Sequence, residues 1–297
     1  MKILLFGKNG NLGSELQRSL APLGTLITLN RASTEHCGDL GNLDGIAHSI
    51  AAVRPDVIVN AAAYTAVDKA ESEKPVAKLI NTSAPEVMAV EAKRFNAKLI
   101  HFSTDYVFDG VGNKPYRESD TPNPINTYGQ TKKDGEDAII ASGAQHIILR
   151  TSWVYGAAGR NFVKTIIELA KARETLNVIN DQIGAPTGAS MLADCTAQVI
   201  RHGRAANGIY HLTAAGETSW YHYAQFIVQS LHSMGMQLKL PFEGIKPIPS
   251  SDYPTPATRP LNSRLDTTAF KETFGITLPQ WQNGVTALLT QLHGKQP

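Results

Sequence analysis

A tyrosine and a lysine four residues apart, Tyr128 and Lys132, carry the clearest chemical signal in this 297-residue sequence. The surrounding stretch, residues 126–137, reads N-T-Y-G-Q-T-K-K-D-G-E-D and predicts a helix, on which residues at this spacing share one face. An ammonium beside a phenol favours the phenolate, so the pKa of Tyr128 should fall from about 10 toward neutrality. Such a tyrosine can donate the proton that reduction of a carbonyl requires. The alternative is an exposed pair that meets through helix geometry alone.

The composition is that of an ordinary globular protein, with 42% hydrophobic residues and a net charge of +2. Charges of one sign form no long run, so nucleic acid and an anionic membrane are not favoured as partners. The opening apolar run is shorter than the core of a signal peptide, and no later segment approaches a membrane span, which predicts a cytoplasmic protein. Cys37 and Cys195 are far apart, which argues against a disulfide scaffold or a thiolate metal site.

Three glycines at the start of the chain, Gly7, Gly10 and Gly13, separate a predicted strand from a predicted helix at residues 14–20. Glycines let the backbone approach a pyrophosphate, whose charge is attracted by the N-terminus of the following helix. The spacing is G-x-x-G-x-x-G rather than G-x-G-x-x-G, and a plain tight turn remains the alternative.

The second apolar run, residues 25–29, ends at Asn30 and Arg31, where a dinucleotide-binding unit usually meets the adenosine ribose. An amide followed by a guanidinium can accept a 2′-phosphate, so NADPH should at least be tolerated; a solvated loop arginine is the alternative. Asp39 and Leu40 follow what looks like a short third strand. Asp39 could accept a hydrogen bond from the adenine amino group, or it could simply form a turn.

Two further strand ends supply small or polar residues. The strand at 57–59 runs into N-A-A-A-Y, and these small residues leave space for a cofactor across the sheet edge. The strand at 98–102 ends in S-T-D, which places the Thr104 hydroxyl near the helix of Tyr128. That hydroxyl could donate to the same substrate oxygen as the phenol, or it could cap the strand end.

Strands and helices alternate through the first 150 residues, which predicts an α/β fold with a Rossmann-type doubly wound parallel sheet. Residues 1–156 are predicted to form an NAD(P)-binding domain. Residues 157–297 are predicted to form a smaller, mixed α/β, mainly substrate-binding domain, with helices at 162–172, 191–202 and 221–234. Sheet and helices are expected to be shared across the boundary. Arg259 and Arg264 bracket a proline-rich loop that could grip a diphosphate, unless they are surface arginines.

Five segments together resemble the extended short-chain dehydrogenase/reductase superfamily and, within it, the dTDP-4-dehydrorhamnose reductase family. They are G-K-N-G-N-L-G at 7–13, N-A-A-A-Y-T at 60–65, S-T-D-Y-V-F-D at 103–109, Y-G-Q-T-K at 128–132 and R-T-S-W-V-Y-G at 150–156. The similarity runs nearly end to end. It implies that NADPH or NADH reduces the C4 keto group of dTDP-4-dehydro-6-deoxy-L-mannose. The product would be dTDP-L-rhamnose, used for cell-surface polysaccharide.

The resemblance also implies roles for individual residues. Tyr128 would be the proton donor, Lys132 would bind the nicotinamide ribose and lower the tyrosine pKa, and Thr104 would polarise the carbonyl. The implied substrate-binding residues are Thr104, Asp105, Trp153, Asn161, Gln182 and Arg259. The implied cofactor-binding residues are Gly7, Gly10, Asn11, Leu12, Gly13, Asn30, Arg31, Asp39, Leu40, Ala61, Ala62, Ala63, Tyr64 and Thr65, together with Tyr128 and Lys132.

One departure from the family concerns a metal. Some members are described as metal-dependent dimers joined through carboxylates; here Glu15 is present, but the other positions fall at Ser190 and Gln291. A serine and an amide replace carboxylates poorly around Mg²⁺. We therefore expect no bridging metal, and a monomer or weak homodimer.

Two other functions remain open. A nucleotide-sugar dehydratase or epimerase would have the same fold. A dehydratase, however, typically carries a glutamate where this chain has Tyr106. A regulatory subunit resembling the methionine adenosyltransferase β subunit would keep the fold without the reaction.

Overall fold

A six-stranded, fully parallel sheet with the strand order β10-β5-β4-β3-β1-β2 organises the computed structural model, which describes residues 1–202 and 206–294. Shorter strands pair two by two outside it. The strands are β1 (Lys2–Phe6), β2 (Thr25–Leu29), β3 (Val57–Asn60), β4 (Lys98–Thr104), β5 (His146–Thr151), β6 (Val154–Tyr155), β7 (Leu176–Ile179), β8 (Ile183–Gly184), β9 (Thr187–Gly188), β10 (Gly208–His211), β11 (Thr218–Ser219) and β12 (Ile245–Ile248).

Helices pack on both faces of this sheet, as expected for a parallel sheet, and further helices lie outside it. The α-helices of the described residues are α1 (Asn11–Leu20), α2 (Leu43–Val53), α3 (Val67–Ala70), α4 (Lys74–Lys78), α5 (Ala84–Arg94), α6 (Thr127–Ser142), α7 (Phe162–Ala172), α8 (Ala189–Arg201), α9 (Trp220–Ser233), α10 (Thr268–Phe274) and α11 (Trp281–His293), with a π-helical turn at Leu79–Ser83. None of these helices is long and apolar enough to cross a membrane.

Successive residues of the strands point to opposite layers. Leu4 and Phe6 of β1 pack with α2 and α5 on one face, whereas Ile3 and Leu5 pack with α1, α8 and α10 on the other. All four side chains are fully buried. The Rossmann-type doubly wound parallel sheet that the sequence predicts is confirmed.

Helix α6 carries Tyr128 and Lys132, and its ends are set by local sequence. The Asn126 side chain accepts a hydrogen bond from the Gly129 backbone N–H at 2.7 Å, which caps the helix N-terminus. Gly143 ends the helix in the left-handed conformation, with φ +67°. The helix that the sequence predicts around Tyr128 and Lys132 is therefore confirmed, and it extends to Ser142.

Several sequence-based boundaries differ from the structure. The short third strand predicted before Asp39 is wrong: residues 30–42 form turns and bends, and the Asp39 carboxylate accepts a hydrogen bond from the Gly41 N–H at 3.0 Å. Helices α10 and α11 were not predicted. Beyond the boundary predicted at residue 156, β10 extends the sheet beside β5 and α8 packs against α1, so both halves of the chain build the sheet's layers.

A second apolar core lies outside the sheet, formed mainly by α7, α9 and α11. Its fully buried members include Val163, Tyr223, Ile227 and Val285. This core positions the loops that follow β5 and β7 beside the carboxyl ends of the sheet strands.

Candidate active site

The glycine turn after β1 brings two backbone segments into direct contact. Gly7 has φ +91°, and a Cβ at this position would lie 2.8 Å from the Ala62 nitrogen. A Cβ on Gly13 would lie 1.9 Å from the Gly7 carbonyl oxygen, so α1 can pack this closely only with glycine there. Residues here therefore fit a bound dinucleotide: the turn is closed by glycines, and the N-terminus of α1 follows it.

A cleft of about 670 Å³, here called the adenosine cleft, opens beside this turn. Its walls come from the ends of β1, β2 and β3 and from the α4 region. Eight of the predicted cofactor-binding residues line it: Gly7, Gly10, Asn30, Arg31, Asp39, Leu40, Ala62 and Ala63. Val76, which is 44% exposed, and Ile80 add apolar surface to the same cleft.

Arg31 and Asp39 face each other in this cleft, with 3.5 Å between the Arg31 Nε and a carboxylate oxygen of Asp39. The Arg31 side chain is 88% exposed, so it is free to reorient toward a phosphate. Asn30 instead holds the turn, because its side-chain oxygen accepts a hydrogen bond from the Ala32 N–H at 3.1 Å.

The other predicted cofactor residues lie around the adenosine cleft without lining it. Leu12 and Gly13 are buried beneath the turn, and Ala61 contacts Gly7. The Asn11 amide donates to the Arg160 carbonyl at 3.1 Å, which joins α1 to the loop before α7. Tyr64 and Thr65 continue from the alanine run; Tyr64 is half-buried and Thr65 is exposed.

Thr104, Asp105 and Tyr128 meet where β4 ends. The Thr104 hydroxyl donates to Asp105 Oδ1 at 2.9 Å and also contacts the Tyr128 side chain. Burial raises the pKa of Tyr128 to about 12, although the Thr104 contact lowers it in part. Burial also raises the pKa of Asp105 to about 6.

Lys132 does not produce the lowered tyrosine pKa that the sequence predicts. It is buried, and its Nζ lies 2.7 Å from the Phe102 carbonyl oxygen and 3.0 Å from His101 Nε2. Burial lowers the pKa of this lysine to about 8, while the Glu136 carboxylate raises it. The amine is therefore directed at β4, and burial rather than a neighbouring ammonium dominates the pKa of Tyr128.

A larger cleft of about 1070 Å³, here called the sugar cleft, lies between the end of β4 and the second core. Tyr106 lines it and also packs edge-on against Tyr128, with 5.7 Å between ring centroids. Gln182 and Arg259, both predicted to bind substrate, line this cleft as well. The tyrosine of the predicted catalytic pair thus lies next to a cavity large enough for a nucleotide sugar.

Trp153 reaches the sugar cleft only through its neighbour. Its ring stacks on Trp220 with 3.6 Å between centroids, and Trp220 lines the cleft. The Trp153 backbone has φ +48°, the left-handed conformation that side chains other than glycine rarely adopt. Asn161 does not line the sugar cleft itself. It caps the N-terminus of α7, and the next residue, Phe162, lines the cleft.

The two arginines predicted to grip a diphosphate are in different surroundings. Arg259 lines the sugar cleft, where its guanidinium pairs with Asp68 at 2.8 Å. Arg264 pairs with Glu217 at 2.6 Å and does not line the cleft. Arg173, which the sequence did not single out, is the second arginine of the cleft lining.

Sequence reasoning missed several lining residues, among them Trp220, Phe162 and Tyr253. They come from segments far apart in the chain. Trp220 and Phe162 each begin a helix, where an aromatic residue usually indicates the hydrophobic core. His101 was also missed. Its position within the strand β4 does not indicate that the Lys132 amine of α6 lies beside it.

At the three positions discussed for a metal, Glu15 pairs with Arg18 at 3.4 Å, and Ser190 and Gln291 are exposed. Over residues 1–202 and 206–294, no group of three or more His, Cys, Asp or Glu side chains is placed to hold a metal ion.

Comparison with known proteins gives a consistent result. The family described as RmlD substrate binding domain matches residues 1–293. The dTDP-4-dehydrorhamnose reductase of Escherichia coli K12 is 52% identical over 295 residues, which are 98% of each chain.

Two crystal structures of reductases with this name superpose closely. The Bacillus anthracis enzyme in complex with NADP has a TM-score of 0.89 and 32% identity, over 98% of this chain and 100% of that one. The Clostridium acetobutylicum protein has a TM-score of 0.90 and 34% identity, over 99% and 100%. The chain therefore belongs to the dTDP-4-dehydrorhamnose reductase family.

Proposed function

We propose that this protein reduces the C4 keto group of dTDP-4-dehydrorhamnose with NAD(P)H to give dTDP-L-rhamnose, a precursor of cell-surface polysaccharide. The observation that carries the proposal is the position of Tyr128, which contacts Thr104 on one side and packs against Tyr106 of the sugar cleft on the other. Full-length relatives named for this reaction, and one solved with NADP, support it.

When bound, the nicotinamide cofactor supplies the hydride, and the protein supplies position and protons. Thr104 and Tyr128 together donate to the carbonyl oxygen on which negative charge develops. Their contact in the structure fixes both hydroxyl groups at one point. In the structure the Thr104 hydroxyl donates its single proton to Asp105, and on substrate binding this proton would turn from Asp105 to the carbonyl oxygen.

The raised pKa of Tyr128 suits the reducing direction. A phenol with a pKa of about 12 stays protonated at neutral pH, so the proton is available when the alkoxide forms. The step consumes one ketone, one hydride and one proton and yields one alcohol. We propose that Lys132 binds the nicotinamide ribose, close to the position it already occupies behind Tyr128.

The sugar cleft is suited to a nucleotide diphosphate sugar. Two cations, Arg173 and Arg259, line it together with the aromatic rings of Trp220 and Phe162. Guanidinium groups bind phosphates bidentately, and aromatic faces cover bases and sugar rings. We propose that Asp105, Trp153, Asn161 and Gln182 complete this site around the sugar.

In the adenosine cleft, we propose that Gly7, Gly10, Asn11, Leu12 and Gly13 hold the pyrophosphate and that Ala61, Ala62, Ala63, Tyr64 and Thr65 follow the nicotinamide half. Asn30, Arg31, Asp39 and Leu40 would surround the adenosine. Residues 1–156 would thus mainly hold the cofactor and residues 157–297 mainly the substrate. We further propose a cytoplasmic monomer or weak homodimer that needs no Mg²⁺.

The direct test adds dTDP-4-dehydrorhamnose to the purified protein with NADPH or NADH and follows loss of reduced nicotinamide together with formation of dTDP-L-rhamnose. Stoichiometric consumption is expected. Sugar isomerisation with no net loss of NAD(P)H would indicate an epimerase. Tight association with another enzyme and no turnover would indicate a regulatory subunit, and either result would overturn the proposal.

A further inference from the structure

Three buried side chains form a chain of hydrogen bonds behind Tyr128. Asn60 ends β3, His101 lies on β4 and Lys132 lies on α6, and each is 1% exposed. The Asn60 Nδ2 lies 3.1 Å from His101 Nδ1, and His101 Nε2 lies 3.0 Å from Lys132 Nζ. Because all three are inaccessible to solvent, the donors and acceptors have to match one another.

The orientation of the Asn60 amide is fixed by the backbone. Its Oδ1 accepts a hydrogen bond from the Ala62 N–H at 3.1 Å, so its Nδ2 faces His101. An amide nitrogen is a donor only, and His101 Nδ1 must therefore present its lone pair. A neutral imidazole in this arrangement carries its single proton on Nε2.

The Nε2 proton of His101 then points at Lys132. An ammonium has no lone pair, so two donors would face each other at 3.0 Å. A neutral amine can accept from His101 and still donate to the Phe102 carbonyl at 2.7 Å. Only the neutral lysine satisfies every partner in this chain.

We propose that His101 is a positioning residue that holds Lys132 as a neutral amine at mildly alkaline pH before cofactor binds, and that NAD(P)H binding there takes up one proton from solvent at Lys132. The lysine amine becomes an ammonium, and no other bond changes. The proposal rests on NAD(P)H occupying the site next to Lys132, as in the proposed function. The negative charge of the cofactor favours the ammonium over the amine.

The charges around the chain agree with this assignment. Burial lowers the pKa of Lys132 to about 8, so the neutral amine predominates only above about pH 8, and burial also lowers the pKa of His101 well below its ordinary value. On α6, Glu136 raises the pKa of Lys132, but its carboxylate is shared with Arg150 of β5. Tyr128, Asp105 and Tyr106 lie at the same edge of the sheet, and burial raises the pKa of all three.

Calorimetry measures the proton directly. NADH is titrated into the protein in two buffers of different ionisation enthalpy, between about pH 6 and pH 9; NADH is used because the 2′-phosphate of NADPH itself titrates near the lower limit. Proton uptake should approach one at about pH 9 and fall toward zero at about pH 6. Correspondingly, the Kd for NADH should rise up to about tenfold per pH unit above the pKa of the free lysine. Uptake near zero throughout would overturn the proposal.

Three variants test whether the proton is taken up within the hydrogen-bonded series Asn60–His101–Lys132. Lys132→Met should abolish the uptake. Asn60→Asp should abolish it too, because a carboxylate accepts from His101 Nδ1–H, which turns Nε2 into an acceptor for a permanent ammonium. The control is His146→Gln. His146 is also a buried histidine, but it lies on β5 and bonds the Ala144 carbonyl, so this variant should leave the uptake unchanged. Uptake that persists in Lys132→Met or in Asn60→Asp would contradict the proposal.

A spectroscopic measurement needs neither cofactor nor turnover. Long-range ¹H–¹⁵N spectra of histidine-labelled protein, with His101 assigned by the signal lost in His101→Gln, report its tautomer. Spectra are recorded at about pH 9, where the free lysine is the neutral amine; the Nε2–H form is expected in the wild type and the Nδ1–H form in Asn60→Asp. An Nδ1–H tautomer or a charged imidazolium in the wild type would refute the inference. Because no sugar is involved, failure of the proposed reaction would leave this result intact.

Discussion

Arg150 and Glu136 form an ion pair in the protein interior, with the Arg150 Nε and Nη2 atoms 2.9 and 2.6 Å from the two carboxylate oxygens. Their side chains are only 2% and 1% exposed. Glu136 follows Lys132 by one helical turn and Tyr128 by two, so all three side chains share one face of α6. The pair therefore joins the helix that carries the predicted catalytic residues to strand β5.

Removing one partner of this pair should be costly. Arg150→Met leaves the Glu136 carboxylate buried without its counter-ion, and we expect the free energy of unfolding to fall by about 3–5 kcal/mol in urea titrations. Arg94→Met is the control, because Arg94 is 66% exposed in its pair with Glu91 and should cost less than about 1 kcal/mol. Equal, small losses in the two variants would contradict a structural role for the interior pair.

Loss of the Tyr128 hydroxyl should affect turnover rather than cofactor binding. We expect Tyr128→Phe to lower kcat by roughly 10²- to 10⁴-fold, the usual effect of removing a positioned acid, with the Kd for NADPH nearly unchanged. Stopped-flow turnover and fluorescence titration measure the two quantities.

The matched control for that substitution is Tyr116→Phe. The Tyr116 hydroxyl donates to Asp109 at 2.7 Å, outside both clefts, so its removal should leave kcat within about twofold of wild type. Near wild-type turnover in Tyr128→Phe would remove the tyrosine from the mechanism.

The features that sequence alone predicted are those with a local cause. Helix α6 begins at an asparagine cap and ends at a left-handed glycine, and both signals lie within the segment itself. The glycine turn is equally local, because Gly7 and Gly13 are required by the close approach of neighbouring backbone. The alternation of strands and helices predicts the parallel sheet. It therefore also predicts that the candidate site residues lie at the carboxyl ends of the strands.

The features that sequence did not reveal depend on partners distant in the chain. The pKa of Tyr128 is raised by burial, and Lys132 bonds His101, which is 31 residues earlier and carries no motif of its own. Trp220 reaches the sugar cleft because the second core folds against the sheet. Helix spacing predicts that two side chains share a face, but only packing decides which atoms they contact.

Arg31 should discriminate between the two nicotinamide cofactors. Its guanidinium is 88% exposed and its partner Asp39 is at the rim of the adenosine cleft, so a 2′-phosphate could replace that carboxylate. A charge-assisted hydrogen bond contributes about 1.5–3 kcal/mol, and we expect Arg31→Ala to raise the KM for NADPH at least roughly tenfold. Steady-state assays should show the KM for NADH within about twofold of wild type. Parallel increases for both cofactors would place Arg31 elsewhere than at the 2′ position.

Trp153 offers a test that separates backbone strain from ring stacking. Trp153→Ala and Trp153→Gly both remove the ring that stacks on Trp220, and both should raise the KM for the sugar nucleotide. Only glycine adopts φ +48° without strain, so the glycine variant should be the more stable of the two by about 1 kcal/mol in thermal or urea unfolding. Unchanged KM and kcat in both variants would make Trp153 a plain packing residue.

The buried Asp105 carboxylate should make stability depend on pH in a predictable direction. Its pKa is raised to about 6 in the folded protein, above its ordinary value of about 3.9 in an unfolded chain, because burial disfavours the charged form. The folded state therefore binds this proton more tightly, and the advantage is lost as the pH rises through about 6. Asp105→Asn removes the titrating group but keeps an oxygen that can accept from Thr104.

We therefore expect the free energy of unfolding of Asp105→Asn to match the wild type near pH 4 and to exceed it by about 3 kcal/mol above about pH 7. Asp68, Asp109 and Asp266 have lowered pKa values and act in the opposite direction, but both proteins contain them, so they cancel in the difference. Urea titrations at several pH values measure this difference. A difference that is constant with pH would mean that Asp105 does not change its charge in this range, and that burial does not govern its protonation.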